Sequence, residues 1–404
     1  MPRFQLRGVP LGFVLLLVVL LMAQGCGHRV SSVKPSSAVM VKEKPASESG
    51  EASKEVSEES ATLREEAQKA FQTGVQFEAD KKYVEAVASF KEAIKIDPTF
   101  AEAYSHLGSA NIELKNYIDA IDAFKSLLEV TRAEAERLAT AHSKLGYVYG
   151  LNGNLEQAIE QYKKVIELTP NNSEAFSLLA LMYGSKGLIA EAVNAYQRSL
   201  ELRPDNKETM RALGTLCRDN NMFVEATHIY ERLYQTDNND PQAIRSLAWL
   251  YLKLEAYPKA IDMNRRMLAL EPESIGERLN LAIAYEKNAQ LDSAIVQYEK
   301  VLEAQPENSQ LYCNLAFLYS DAKKAAQAVE VAKKGLESKP NDGCLICAWA
   351  KALEKMSDYE GAIEKLQLVV NDDQWGDYAK KEIDKQKKLI KRKEVLKEKE
   401  ELGY

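Results

Sequence analysis

Hydrophobic positions recur along this chain with two nested spacings. The short one is helical, with apolar residues three, four and seven apart on one side of a 3.6-residue turn. The long one is a period of 34 residues. Copies start at 67, 101, 139, 173, 207, 241, 275, 309 and 343, with four extra residues (135–138) between the second and third. Position 8 of the copies reads Gly74, Gly108, Gly146, Ala180, Gly214, Ala248, Ala282, Ala316 and Ala350. Position 20 reads Ala86, Ala120, Ala158, Ala192, Ala226, Ala260, Ala294, Ala328 and Ala362. A small residue at both places in every copy is not chance. Position 7 is Leu in seven copies, from Leu107 to Leu315, and position 11 is Tyr in five: Tyr149, Tyr183, Tyr251, Tyr285 and Tyr319. Position 24 is aromatic in six, and position 32 is Pro in six.

Each copy therefore predicts two helices, A and B. Positions 4, 7, 8 and 11 share one face of helix A, and positions 20, 24 and 27 share one face of helix B. The small residues let the two backbones approach closely, and the large ones fill the flanking space. Pro at position 32 has no amide donor and ends helix B. Asn171, Asn172 and Ser173 are suited to turn the chain and cap the next helix. One such hairpin cannot bury its apolar face alone, so each must stack on the next.

This pattern resembles the tetratricopeptide repeat family in period and in small and aromatic positions. The resemblance spans about three quarters of the chain (63–376) and implies an all-α, right-handed α-α superhelix of nine helix pairs. Helix A would line the concave side. It says little about activity.

Some positions depart from the pattern. Asn111 and Asn264 stand where apolar residues belong, so those layers are expected to be weaker or locally rearranged. Arg132 replaces the Pro of the second copy, and with the extra residues it predicts a helix B one turn too long. Residues 377–404 are expected to form a charged helix with a thin apolar stripe (Ile383, Leu389, Ile390, Leu396), suited to cap the last repeat, with a basic partner-docking helix as the alternative.

The N-terminus carries an address. Arg3 and Arg7 precede an unbroken apolar run, Leu11 to Ala23, of 13 residues. Such a run spans roughly 20 Å as a helix, short of a ~30 Å hydrocarbon core, and reads as an export signal over 1–25. Its end, "AQGC", resembles a bacterial lipoprotein signal, which implies that Cys26 receives the lipid. An ordinary cleaved signal and an uncleaved anchor remain open. By the same resemblance Gly27, in place of Asp, implies the outer membrane of a cell that has one. Residues 26–62 are rich in Ser, Glu, Lys and Pro and lack aromatics, so they read as a disordered tether. A coil of that length has an r.m.s. reach of roughly 30–35 Å.

Of the 404 residues 46% are hydrophobic and 28% charged, so a large core is available. A net charge of −7 gives no broad basic field, which makes nucleic acid a poor partner. His28, His106, His142 and His228 are scattered, with no metal-ligand spacing among them. There is no Gly-rich phosphate loop, no zinc-protease motif and no nucleophile–base arrangement, so neither catalytic residues nor a cofactor are expected. "CLIC" offers Cys344 and Cys347 at a helix start; they read as small packing or groove residues, with a labile disulfide and a thiol-redox or metal role as the alternatives. Cys313 lies one period before Cys347. At the usual 8–10 Å between neighbouring helices that pair is too distant for a disulfide.

Groove positions 2, 5, 6, 9, 12 and 13 of helix A lie opposite the core stripe, and the family resemblance assigns the same set. Position 9 offers Tyr147, Leu181, Trp249, Ile283 and Phe317, expected to face open solvent. Arg211, Arg218 and Arg245 share that face, and Asn280 and Asn314 resemble the start of an asparagine ladder that holds an extended backbone. The expected function is a non-catalytic, membrane-anchored scaffold that takes a segment of another protein. A periplasmic scaffold without the anchor is the alternative.

Overall fold

A computed structural model describes residues 50–401, with side chains over 62–399. The expected signal, Cys26 and the tether as far as residue 49 lie outside the described residues. Those described form 19 helices and no strand. The chain divides into two compact units, Met1–Arg203 and Pro204–Tyr404.

Unit 1 holds four A/B pairs: α1 (Gly50–Ala79) with α2 (Tyr83–Ile96), α3 (Ala101–Glu113) with α4 (Tyr117–Val130), α5 (Ala135–Leu151) with α6 (Leu155–Leu168), and α7 (Ser173–Ser185) with α8 (Ile189–Leu202). Unit 2 holds five: α9 (Lys207–Asp219) with α10 (Phe223–Thr236), α11 (Pro241–Lys253) with α12 (Tyr257–Leu270), α13 (Ile275–Lys287) with α14 (Leu291–Ala304), α15 (Ser309–Asp321) with α16 (Ala325–Ser338), and α17 (Gly343–Lys355) with α18 (Tyr359–Gln367). A last helix, α19 (Gly376–Glu401), follows. Within each unit successive pairs stack as an α-solenoid.

The small positions act as expected. The Ala at position 20 is fully buried in all nine pairs. Position 8 is matched to position 24. A Cβ at Gly74 would lie 2.6 Å from the Phe90 ring, and one at Gly214 would lie 2.8 Å from the Tyr230 ring. Gly108 meets Phe124 in the same way. Where position 24 is Asn264, Ala332 or Leu366, position 8 is Ala. Two Ala–Tyr pairs, Ala180 with Tyr196 and Ala282 with Tyr298, show that a ring can make room for one methyl.

Position 15 ends helix A in every pair with a left-handed residue. Gly153 and Gly187 fill it twice, and seven non-Gly residues fill it elsewhere, Lys81, Lys115, Asn221, Glu255, Ala289, Lys323 and Ser357, at φ of 57–63°. The residue after it donates back to helix A, as Asn116 does to the Asn111 carbonyl at 2.8 Å. The turn's hydrogen bonds offset a left-handed cost of about 1 kcal/mol where Gly is absent. The next helix A starts from a side-chain cap at several sites. Asn172 accepts from the Ala175 amide at 3.0 Å, and Asp240 from Ala243 at 2.7 Å.

Tyr at position 11 ties neighbouring repeats. Tyr251 donates to Glu231 at 2.6 Å and Tyr319 donates to Glu299, each on helix B of the preceding repeat. The Tyr251 hydroxyl, then Lys259, hold the Glu231 carboxyl below its ordinary pKa. That link is present at neutral pH and lost as acid protonates the carboxylate.

Four sequence expectations change. Helix α1 begins at Gly50, so the tether reading of 26–62 is too long. Residues 51–66 are rich in Glu, Ala and Lys, and the packed segment from Ala67 onward lets the helix propagate backwards. The extra turn lies in α5, of 17 residues, and not in α4, which keeps 14. Thr131 is the C-cap of α4, and its hydroxyl and amide both donate to the Leu127 carbonyl. The two core asparagines leave their helices regular. Asn111 donates to the Leu107 carbonyl at 3.0 Å and Asn264 to that of Ala260 at 2.8 Å. The last repeat is the fourth. Its helix B, α18, has only nine residues, and Asp372 then accepts from the amides of Gln374 and Trp375 to start α19. Helix α19 stands in the register of a tenth helix A and covers Ile346, Cys347, Ala350 and Leu366 with Ala379 and Ile383.

Replacing Gly214 by Ala should cost about 1–3 kcal/mol in urea unfolding, because the Tyr230 ring must move. Adding Tyr230→Leu should make the pair less damaging than the sum of the single changes. Strict additivity would mean that the ring does not set the size of position 8.

Candidate functional site

In each unit the inner faces of the A helices are what the core leaves over. In unit 2, position 9 reads Thr215, Trp249, Ile283, Phe317 and Lys351 on α9, α11, α13, α15 and α17. All five are half-buried, neither sealed in the core nor open as expected. The edge of Trp249 meets Phe223 at 5.5 Å between ring centres, and the Lys253 ammonium lies 5.2 Å from its ring. Ile283 leans on the core of the seventh and eighth repeats. Phe317 is covered further than the sequence implied. Trp375, from the turn before α19, stacks on it at 6.4 Å, and Lys351 lies 5.2 Å from its ring.

The arginines do not stand free on this face. Arg211 binds Asp240 and Glu208. Arg245 holds the buried Glu277 and the exposed Glu271, each at 2.8 Å. Arg218 pairs with Asp219 beside it. Two of the three thus join one repeat to the next, and an anionic ligand would have to compete with carboxylates already in place. Asn314 accepts from Gln310 at 3.0 Å, and Asn280 is half-buried on α13. Position 13 supplies what the sequence reading passed over. Lys253 and Lys287 follow Trp249 and Ile283 by one turn, an i, i+4 spacing visible in the sequence.

In unit 1, Tyr147 on α5 and Leu181 on α7 are half-buried at the same repeat position. Burial, aided by Glu113 and Tyr117, pushes the Tyr147 hydroxyl pKa upward. Leu181 packs against the cluster of Ala158, Tyr162 and Leu178. Among the described residues no group of three or more His, Cys, Asp or Glu side chains could hold a metal ion. No described helix is long and apolar enough to cross a membrane.

Models of the tetratricopeptide repeat match residues 99–171, 143–207, 278–308 and 297–330, and a TPR repeat model matches 79–115. Tetratricopeptide repeats are thus matched over 79–207 and 278–330. It is 29% identical over 118 residues to the small glutamine-rich tetratricopeptide repeat-containing protein 2 of Saccharomyces cerevisiae, which covers 29% of this chain and 33% of that one. It is 35% identical over 75 residues to the human nuclear autoantigenic sperm protein, covering 18% of this chain and 10% of the relative. The chain thus spans a tenth to a third of the length of these curated relatives. The solved C-terminal part of a TPR repeat-containing protein from Cytophaga hutchinsonii aligns with a TM-score of 0.51 at 16% identity, over 60% of this chain and 97% of that one. That likeness concerns the fold alone.

The cysteines of this chain pair, and not in the way a Cys344–Cys347 redox role would need. Cys344 is bonded to Cys313, not poised beside Cys347, and the two Cα atoms are 5.9 Å apart. Neighbouring A helices are offset along their axes, so position 5 of one faces the start of the next. Arg211 to Asp240 and Arg245 to Glu277 show the same offset. Comparing Cys313 with Cys347 at equal register therefore missed the partner. Cys347 is buried and free, and burial, aided by Asp372 and Glu382, pushes its thiol up to about 12. A thiol so raised is a poor nucleophile, so the proposed Cys344–Cys347 redox pair does not form.

Thiol titration of the denatured, unreduced chain should find Cys217 and Cys347 but not Cys313 or Cys344. Cys313→Ser should lower the stability of the last two repeats by up to about 3–4 kcal/mol, from the loop closed. An unchanged unfolding midpoint with and without reductant would show that the bond staples nothing.

Proposed function

We propose that this chain is a non-catalytic scaffold of a bacterial cell envelope, lipid-anchored through Cys26, and that the inner face of its A helices holds a segment of a partner protein. Tetratricopeptide repeats serve protein–protein interaction, and the shortness of the matched relatives' shared segments means that their own partners do not transfer. The observation that carries the reading is Trp249. It is a large aromatic left half-buried on α11, flanked by Phe223 and Lys253. Trp at the centre of such a patch is the residue type most often found as a binding anchor. Because Trp375 already covers Phe317, the site centres on the sixth and seventh repeats. The partner segment would lay an apolar side chain on Trp249 and Ile283.

Export is supported by two features. The apolar run ends at "AQGC", and the Cys313–Cys344 disulfide belongs to an oxidising compartment. A single acyl chain binds membranes only marginally, so stable anchoring through Cys26 needs more than one chain. The partner stays outside the nucleic acids, since the acidic chain repels phosphate backbones.

A photo-reactive residue placed at Ile283 in intact cells should cross-link to a discrete partner. Trp249→Ala should reduce that adduct about tenfold or more, as expected for an anchor, while helicity stays unchanged. An adduct of undiminished yield would move the site elsewhere. Labelled palmitate should enter the wild-type chain and be lost in Cys26→Ala; equal labelling of both would remove the anchor.

A further inference from the structure

On the B-helix side of unit 2, a cleft of about 510 Å³ lies between α14 and α16 and is floored by α15. Its origin is a stripe of small residues. Helix α16 turns Ala328, Ala332 and Gly335 inward; Ala is common to all repeats at the first of these positions, but at the other two every other repeat carries a larger side chain. A Cβ at Gly335 would lie 2.7 Å from Tyr312 Cβ and 2.9 Å from Leu345. Helix α16 therefore packs tightly onto α15 and α17, leaving the cleft on its α14 side. Leu302, Leu315 and Val331 give the cleft an apolar bed, and Glu299, Glu303 and Glu330 an acidic wall. Lys334 is the one basic residue lining it.

The complement to this cleft is on the same chain. Helix α19 has 26 residues, twice the 13 of α17. Its first half caps the ninth repeat through Ala379, Ile383 and Gln386. Residues 391–399 are all exposed, and Val395 and Leu396 stand 42% and 53% open. From 388 to 399 there are six basic residues and two acidic ones. At 100° per residue, Lys388, Arg392, Val395, Leu396 and Lys399 fall on one face. That face alternates cations with apolar groups, as the cleft alternates carboxylates with apolar groups. Lys388 and Arg392 are one turn apart, as are Glu299 and Glu303 on α14. Lys393 reaches back over the Tyr359 ring at 5.8 Å, while the face that carries Val395 and Leu396 stays exposed.

We propose that the second half of α19 docks in the α14–α16 cleft of a second copy of this chain. Val395 and Leu396 would meet the apolar bed, and Lys388, Arg392 and Lys399 the acidic wall. The two surfaces differ, so the contact is head-to-tail. It builds chains or closed rings and does not stop at a symmetric dimer. The scaffold would then present several copies of its inner face together. This inference does not rest on the partner site at Trp249.

The test is sedimentation velocity of the full chain in a non-ionic detergent, over a concentration series and at two salt levels. The wild type should self-associate beyond a dimer, less so at high salt. Glu303→Lys with Glu330→Lys should weaken association by about tenfold or more, and so should Lys388→Glu with Arg392→Glu. Combining all four reversals in one chain should restore it, since the charges match again. Neutral variants Glu303→Gln and Arg392→Gln, with helicity read on each, replace any reversal that unfolds. A chain that stays monomeric up to ~100 μM, an affinity too weak to matter, overturns the proposal. So does association that neither reversal alters, or a fourfold variant that fails to reassociate.

Discussion

The structure depends on two backbones coming close together at a small residue. In each pair, position 8 of helix A and position 20 of helix B carry Gly or Ala, and the large residues pack around that contact. The ring at position 24 lies over position 8, so the two are sized together, as Gly214 with Tyr230 shows. Every other regularity follows from this approach. The left-handed residue at position 15 returns the chain at the angle the pair needs, even where Lys or Glu must adopt it. The side chains left pointing away from the pair must then serve the neighbouring repeats or the inner face.

Two kinds of link join repeats. Apolar packing between layers supplies most of the stability, since a single hairpin cannot bury its own face. Polar links then fix the register. Tyr251 reaches Glu231 on the preceding helix B, and Arg245 reaches Glu277 on the following helix A. The Arg245–Glu277 pair is instructive because Glu277 is buried. A lone carboxylate there would be costly, and the guanidinium offsets that cost. Arginines that look like ligand hooks in a linear reading are thus partly structural. The inner face that remains for a partner is narrower than the repeat pattern suggests, and Trp249 is its most prominent side chain.

The C-terminal end is built differently from the middle. A disulfide ties α15 to α17, a stripe of small residues draws α16 inward, and a shortened α18 hands the chain to α19. Trp375 folds over Phe317 and removes it from the open face. These features close the solenoid at one end and, on the B-helix side, leave an acidic cleft. The same helix that caps the last repeat runs on past it with a basic, partly apolar face.

The sequence by itself determined the fold class, because period and residue size together leave few ways to bury the apolar stripes. Nine copies of one hairpin, the small positions and the Asn172 cap were legible in single residues. The half-buried state of Trp249, Tyr147 and Ile283 was legible only as a face, not as a degree of exposure. Only the tertiary structure decided what lies next to what across repeats. Cys313 meets Cys344 and Arg211 meets Asp240 because neighbouring helices are offset along their axes, and Trp375 covers Phe317 from the turn before α19. A linear alignment compares equal positions, and equal positions are not the ones that touch.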